Sequence, residues 1–242
     1  ISPAFTLSQY DNEAGDRSLT KRRSRVSLDN IGVAFNLHEG SGALTSFTVG
    51  FAYNKVADYN YKSSAILPGD LSSIGYVFQN HARGIPQSYM NSQDSRDFDT
   101  PDFGDWLAYH TGLLEPGSIS DQYEASNVGS GLKSHTMRTI SSGYSGEFNI
   151  SAGANISNTL YLGMSIGILD IYQKQDIVYD EGYDSSIPGE LNKLRYRQRT
   201  KSDGVGANFK FGAIASPFQG FRVGVAVHTP TLVDLDKTYQ AT

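Results

Sequence analysis

Residues 207–228 read ANFKFGAIASPFQGFRVGVAVH, and the alternation in this stretch decides the fold. Ala207, Phe209, Phe211 and Ala213 share one parity, against Asn208, Lys210 and Gly212. After the turn SPFQG, Phe221, Val223, Val225 and Val227 alternate with Arg222, Gly224, Ala226 and His228. Successive side chains of a strand point to opposite faces, so the stretch is a β-hairpin with one apolar and one polar face. The question it raises is which solvent the apolar face meets.

Working outward, the same pattern recurs. Ile31, Val33, Phe35 and Leu37 share a face, as do Phe47, Val49, Phe51 and Tyr53, then Phe148, Ile150 and Ala152, then Leu160, Leu162, Met164, Ile166 and Ile168. Phe5 and Leu7 mark a first strand. The expectation is about seven strands, at 1–10, 18–37, 46–61, 134–153, 160–180, 193–215 and 221–240, in an all-β antiparallel chain. Fifteen Tyr, twelve Phe and twenty-five Gly against three Met agree with strands and turns rather than helices.

Several expected strands run to about twenty residues, far beyond the usual five or six of a soluble sheet. The connections HEGSGALT, NISNT and SPFQG are short, whereas those after Tyr10, Tyr61 and Asp180 are longer. Short turns at one rim and long loops at the other describe a transmembrane β-barrel of a bacterial outer membrane. A barrel escapes hydropathy tests for membrane helices because lipid-facing and lumen-facing residues alternate, so a mean hydropathy of −0.37 does not count against it. Phe218 and Phe221 at the SPFQG turn are candidate interfacial aromatics.

Charge and composition exclude other classes. A net charge of −5 gives no support to a nucleic-acid partner. The absence of cysteine excludes disulfides, thiolate metal sites and a cysteine nucleophile. His38, His81, His110, His135 and His228 fall in no metal-ligand spacing. Asp94, Asp97, Asp99, Asp102 and Asp105 in DSRDFDTPDFGD offer oxygens to calcium, but without EF-hand spacing, and a solvated loop is the competing reading. There is no G-x-S-x-G elbow, and neither an enzyme activity nor a cofactor or metal is expected.

Between residues 62 and 133 the alternation stops, and this stretch is expected to be an extracellular insert within a single 1–242 barrel domain. Two short amphipathic helices are expected in it. One is capped by Asp70, with Leu71, Ile74, Val77 and Phe78 on one side; the other groups Trp106, Leu107, Tyr109, Leu113 and Leu114. These apolar residues either pack on one another or form a groove for a hydrophobic ligand. Asn149, Ser151, Asn208, Lys210 and Arg222 are expected to line a polar lumen.

Odd positions above Val205 and Ala207 include Arg195, Arg197, Arg199 and Lys201, and those above Ile31 include Arg25, Arg23 and Lys21. On unbulged strands both rows face outward above the lipid, where they would suit lipopolysaccharide phosphates. Solvated charge that discourages edge-to-edge aggregation is the alternative.

The segments NIGVAFNL, FTVGFAYNKVADYNY, GEFNISAGANISNTLYLGMSIGILDI and FKFGAIASPFQGFRVGVAVHTPT resemble the outer-membrane transporters of hydrophobic compounds related to the long-chain fatty acid transporter, the FadL-like family, particularly its Bacteroides-type members. The resemblance spans most of the chain. It implies a fourteen-stranded barrel, an N-terminal lumen plug with an Asn-Pro-Ala-Gly motif, helical extracellular loops that catch the ligand, and passive uptake of hydrophobic small molecules such as fatty acids. This sequence has no Asn-Pro-Ala-Gly motif and about half those strands, so it reads as an internal fragment whose closing strands lie elsewhere in the protein. Two alternatives remain: a structural or secretion-associated barrel presenting partner proteins, and a soluble β-sandwich binding module.

Overall fold

A single antiparallel sheet, curled into a half-barrel, carries most of the chain. The computed structural model describes residues 1–14, 17–92, 100–126, 128, 131–183 and 192–242. The strands are β1 (Ser2–Ala14), β2 (Arg17–Glu39), β3 (Leu44–Asp58), β4 (Tyr61–Asp70), β5 (Leu114–Pro116), β6 (Tyr123–Ala125), β7 (Lys133–Ile156), β8 (Leu160–Tyr183), β9 (Lys193–Phe218), β10 (Phe221–His228) and β11 (Leu232–Ala241). Three helices, α1 (Ile74–His81), α2 (Gln87–Met90) and α3 (Thr100–His110), lie between β4 and β5.

The large sheet has nine strands on seven tracks. β3 and β4 both pair with β7 and form one interrupted strand; β10 and β11 both pair with β9 and form another. The tracks follow chain order as an up-and-down meander, which agrees with the seven strands expected. Gly143 explains the first interruption. It accepts hydrogen bonds from the Tyr59 amide and the Asn60 side chain, its φ is 141°, and a Cβ there would lie 2.1 Å from the Tyr172 carbonyl oxygen. Pro230, which has no amide hydrogen, sits in the second.

One end of the sheet has tight turns. Ser157 and Asn158 both have positive φ, and the Thr159 amide closes the turn on Ile156, as a type I′ hairpin requires. At the β9–β10 turn the Phe218 and Phe221 rings stack at 5.1 Å. The opposite end differs from expectation. The longer connection expected after Tyr10 is shortened, because β1 continues to Ala14 and Ala14 pairs with Arg17. Polar residues zip these strands without an apolar pattern: Thr20 donates to Asp11, and Arg22 to Gln9. β4 likewise extends its track to Asp70, so the insert narrows to residues 71–132.

Register assigns the faces. On β7, β8 and β9 the apolar parity stands outside: Phe148, Ile168 and Ala207 form one cross-strand row, and Ile150, Ile166 and Phe209 the next. The opposite parity lines the concave side with Asn149, Gly167 and Asn208, then Ser151, Ser165 and Lys210. The outer row-set is apolar over about nine residues per strand, the length of a tilted strand crossing a bilayer core.

Burial is inverted relative to a water-soluble protein. Among the described residues the buried apolar ones, Ala82, Met90, Ala108, Leu113, Leu114, Tyr123 and Val128, all belong to the insert. The sheet's own buried residues are polar, among them Lys133, His135, Thr139, Ser141, Glu181 and Asn208. Many of its apolar residues are exposed, with Phe35, Phe148 and Ile166 each at 51%.

Candidate functional site: the insert groove and the inner wall

The insert sits on the concave face of the upper strands. Glu181 on β8 accepts the amide of Ile74 at 2.9 Å, holding the start of α1 against the wall. The buried Lys133 amine donates to the carbonyls of Leu71 and Gly131, clasping the two stems of the insert. The rings of Tyr76 and Tyr183 each lie 5.9 Å from it. His135 bonds the Tyr179 hydroxyl, which donates to Glu181.

The expected cap of α1 is corrected: Ser73, not Asp70, accepts the Gly75 amide, because Asp70 still belongs to β4. The predicted apolar set consequently divides. Leu113 and Leu114 are buried in the insert core, and Phe78 and Tyr109 pack against it. Leu71 and Val77 are about 60% exposed and are not among the residues that line the groove described next. Ile74 is half-buried at the wall contact. Trp106 stacks on Phe103 and donates to the Ser92 carbonyl, a packing role.

Phe78, Leu107 and Leu113 do come together. With Ala108, Leu194 and Tyr196 they line a cavity of about 240 Å³ between α1, α3 and the top of β9. The Phe78 and Tyr196 rings meet edge to face at 5.4 Å, and Tyr196 shares a 3.0 Å hydrogen bond with Tyr239. Lys193 and Arg195 stand at the rim. Core packing and an apolar groove therefore coexist: the groove is the unfilled flank of the core. Tyr196 was not singled out in the sequence, where alternation marked it only as a strand position.

On the inner wall, Asn149, Asn208 and Lys210 converge on Glu147. Lys210 donates to both carboxylate oxygens at 2.8 and 2.9 Å, Asn208 to one at 2.7 Å and Asn149 to the other at 3.1 Å. Glu147, the hub, escaped the sequence reading because nothing in its local pattern separates it from its neighbours. Ser151 stands nearby and donates to the Gly50 carbonyl. Arg222 is apart, beside the β9–β10 turn where the register shifts.

The two basic rows have different fates. Ser2 pairs with Asn30 but Pro3 with Leu28, so Asp29 is an extra residue and parity reverses above it. Val26 and Leu28 become the exposed apolar residues. Arg25 turns to the concave side, in a cavity with Ser8, Tyr10, Lys55 and Asn60, and ion-pairs with Asp58 at 3.0 Å. Its expected lipid-facing role is overturned by that bulge. Lys21 and Arg23 share its register parity, and their side chains lie outside the described set. Burial pushes the Asp58 carboxyl up, but hydrogen bonds from Lys55 and Asn60 outweigh it and hold it at about 2.

On β9 the outward row keeps its place. Arg195 pairs with Asp180 at 2.6 Å, Arg197 with Asp176, Arg199 with Asp176 at 3.8 Å, and Lys201 with Asp203 at 2.7 Å. Hydrogen bonds from Arg197 and Arg195 hold the Asp176 and Asp180 carboxyls below their ordinary range. From Arg197 downward β9 is hydrogen-bonded on both sides, so Arg197, Arg199 and Lys201 do not protect an edge.

Among the described residues no group of three or more His, Asp or Glu is arranged to hold a metal ion. Residues 93–99, with Asp94, Asp97 and Asp99 of the calcium reading, lie outside the described ones, as does the Asp102 side chain; Asp105 is buried on α3 and bonds His81 at 2.6 Å. Comparison of the chain with protein families, curated proteins and solved structures returns no match.

Proposed function

We propose that this chain forms part of the wall of an outer-membrane β-barrel that passively admits hydrophobic small molecules, fatty acids among them, caught first in the insert groove. One observation carries the reading: from the Phe148–Ile168–Ala207 row to the turns, the apolar residues of β7, β8 and β9 face outward and are largely exposed, the inner face there carries polar residues and glycines, and the buried apolar residues described belong to the insert. Water does not stabilise that arrangement, because a soluble surface rarely carries so large a contiguous apolar patch. Lipid does. A β-sandwich would need a second layer over that face, and among the described residues none covers it.

The FadL-like resemblance of the quoted segments supports the same reading, and so does the groove formed by Phe78, Leu107, Leu113 and Tyr196. Neither β1 nor the β10/β11 track has a partner on its outer edge among the described strands, and both run in the same direction. An odd number of further strands, the first running the opposite way, closes such a sheet without a parallel seam.

The test is binding of a fluorescent long-chain fatty acid, and its uptake into liposomes holding the intact polypeptide. Replacing Phe78 and Leu107 by Ala should lower both by tenfold or more, while Trp106→Phe should leave binding intact. Unchanged binding and uptake in the Phe78/Leu107 double variant would contradict capture at this groove. A second reading, presentation of a partner protein, is favoured by the exposed Leu71 and Val77, which the groove does not use.

A further inference from the structure

We propose that the slot between Arg138, Arg195 and Arg197, on the outer face of β7–β9, binds a phosphate group carried on the extended sugar head of an outer-leaflet glycolipid of the lipopolysaccharide type. The inference rests on the membrane reading above and adds to it a specific lipid partner.

β7–β8 and β8–β9 pair without a shift from the turns to their upper ends, so parity is preserved along this face, in contrast to β2. Above the last apolar row, Phe148–Ile168–Ala207, come Asp170 and Val205, then Tyr144, Tyr172 and Asp203. Lys174 and Lys201 follow, then Ile140, Asp176 and Arg199, and then Arg138, Val178 and Arg197. An aromatic and acidic layer thus separates the apolar belt from a basic one.

Within the basic layer, Arg138, Arg195 and Arg197 surround a cavity of about 210 Å³ that Ile140 and Val178 flank and Asp176 shares. Asp176 is neutralised by Arg197 and approached by Arg199, and Asp180 is taken by Arg195. Arg138 has no acidic partner among the described residues, so the four arginines outnumber the two aspartates around the slot. Guanidinium forks match phosphate geometry, and a phosphate would supply the acceptor that Arg138 lacks.

Height selects the ligand. Arg138 and Arg197 lie ten residues along the strands above the last apolar row, roughly 23 Å above the hydrocarbon for a strand rising ~3.3 Å per residue and tilted ~45°. Phospholipid headgroups occupy only about 5–7 Å on each side of the hydrocarbon core. Their phosphates cannot reach the slot. An anionic sugar chain on a glycolipid can.

The intact polypeptide, reconstituted in phosphatidylcholine nanodiscs, would be titrated with a lipopolysaccharide bearing phosphorylated core sugars, with the same glycolipid after chemical dephosphorylation, and with inorganic phosphate. The expected result is binding of the first at least tenfold tighter than either of the others, with Arg138→Ala lowering it about tenfold and Arg138→Lys recovering only part. Arg138 has no acidic partner to lose among the described residues, so that variant keeps the wall intact; Arg195→Ala gives a second measure. Equal affinity for the dephosphorylated glycolipid, equal affinity for inorganic phosphate, or unchanged binding in both alanine variants would overturn the proposal. Incorporation into glycolipid-free nanodiscs separates the two levels. A chain that inserts but does not discriminate phosphate refutes this inference alone, whereas one that fails to insert refutes the membrane reading and the inference with it.

Discussion

Glu147 on β7 and Lys210 on β9 meet across the intervening strand β8, with the Lys210 amine 2.8 Å from one carboxylate oxygen and 2.9 Å from the other. Gly167 makes room for them: a Cβ at that position would stand 2.3 Å from a Glu147 oxygen and 2.6 Å from the Asn208 side-chain oxygen. Removing one partner should cost more than removing both. Lys210→Met leaves the carboxylate with only amide donors and should destabilise by about 1–3 kcal/mol. The Lys210→Met, Glu147→Gln double variant should recover part of that loss, with a coupling of about 0.5–3 kcal/mol. Equilibrium unfolding by urea in lipid vesicles reads the cycle, and strict additivity would exclude the pair as a unit.

Gly143 should tolerate no side chain. Alanine there meets the Tyr172 carbonyl at 2.1 Å in a backbone conformation that L residues rarely adopt. Strain and overpacking together predict a loss of about 3 kcal/mol. Gly153→Ala is the control, since a Cβ there finds its nearest atom at 3.7 Å. A similar change in melting temperature for the two would contradict the close approach.

The seat of the insert depends on Glu181 and Lys133. Glu181→Ala removes the acceptor of the Ile74 amide and Lys133→Met removes the clasp on Leu71 and Gly131. Amide exchange along α1 should accelerate tenfold or more in either variant, with β7–β8 amides below Tyr144 unchanged. Uniform acceleration along the whole chain would mean that these residues support the wall rather than the seat.

Asp58 predicts an acid-side dependence. Its carboxyl titrates at about 2 in the folded protein against an ordinary 3.8. A group depressed on folding contributes fully above its ordinary value and loses that contribution as pH falls through the folded one. Stability should therefore fall between about pH 4 and pH 2 more steeply in the parent than in Asp58→Asn. Parallel pH profiles would remove Asp58 from the account.

The parts of this fold legible in the sequence were those where alternation runs unbroken. Phe209, Phe211, Ile166 and Ile150 share an outer face because β7, β8 and β9 hold one register. Arg25 was misread for the converse reason: one extra residue, Asp29, reverses every side chain above it, and a bulge has no local signature here. Polar zippering hid the upper end of β1, since Asp11, Thr20, Gln9 and Arg22 hold it to β2 without an apolar rhythm. In the insert, composition marked Trp106 and Leu107 alike. Only the fold shows that Leu107 lines the groove while Trp106 braces Ser92.

The central claim is that the outer face of the sheet meets lipid, and the cysteine-free chain permits a direct measurement. Single cysteines placed at consecutive positions from Leu162 to Ile166 on β8, spin-labelled in liposomes, report contact with oxygen against a water-soluble nickel chelate. The account predicts a two-residue period, with Leu162, Met164 and Ile166 oxygen-rich and Gly163 and Ser165 shielded from lipid. Equal access of the nickel chelate to both parities would contradict it.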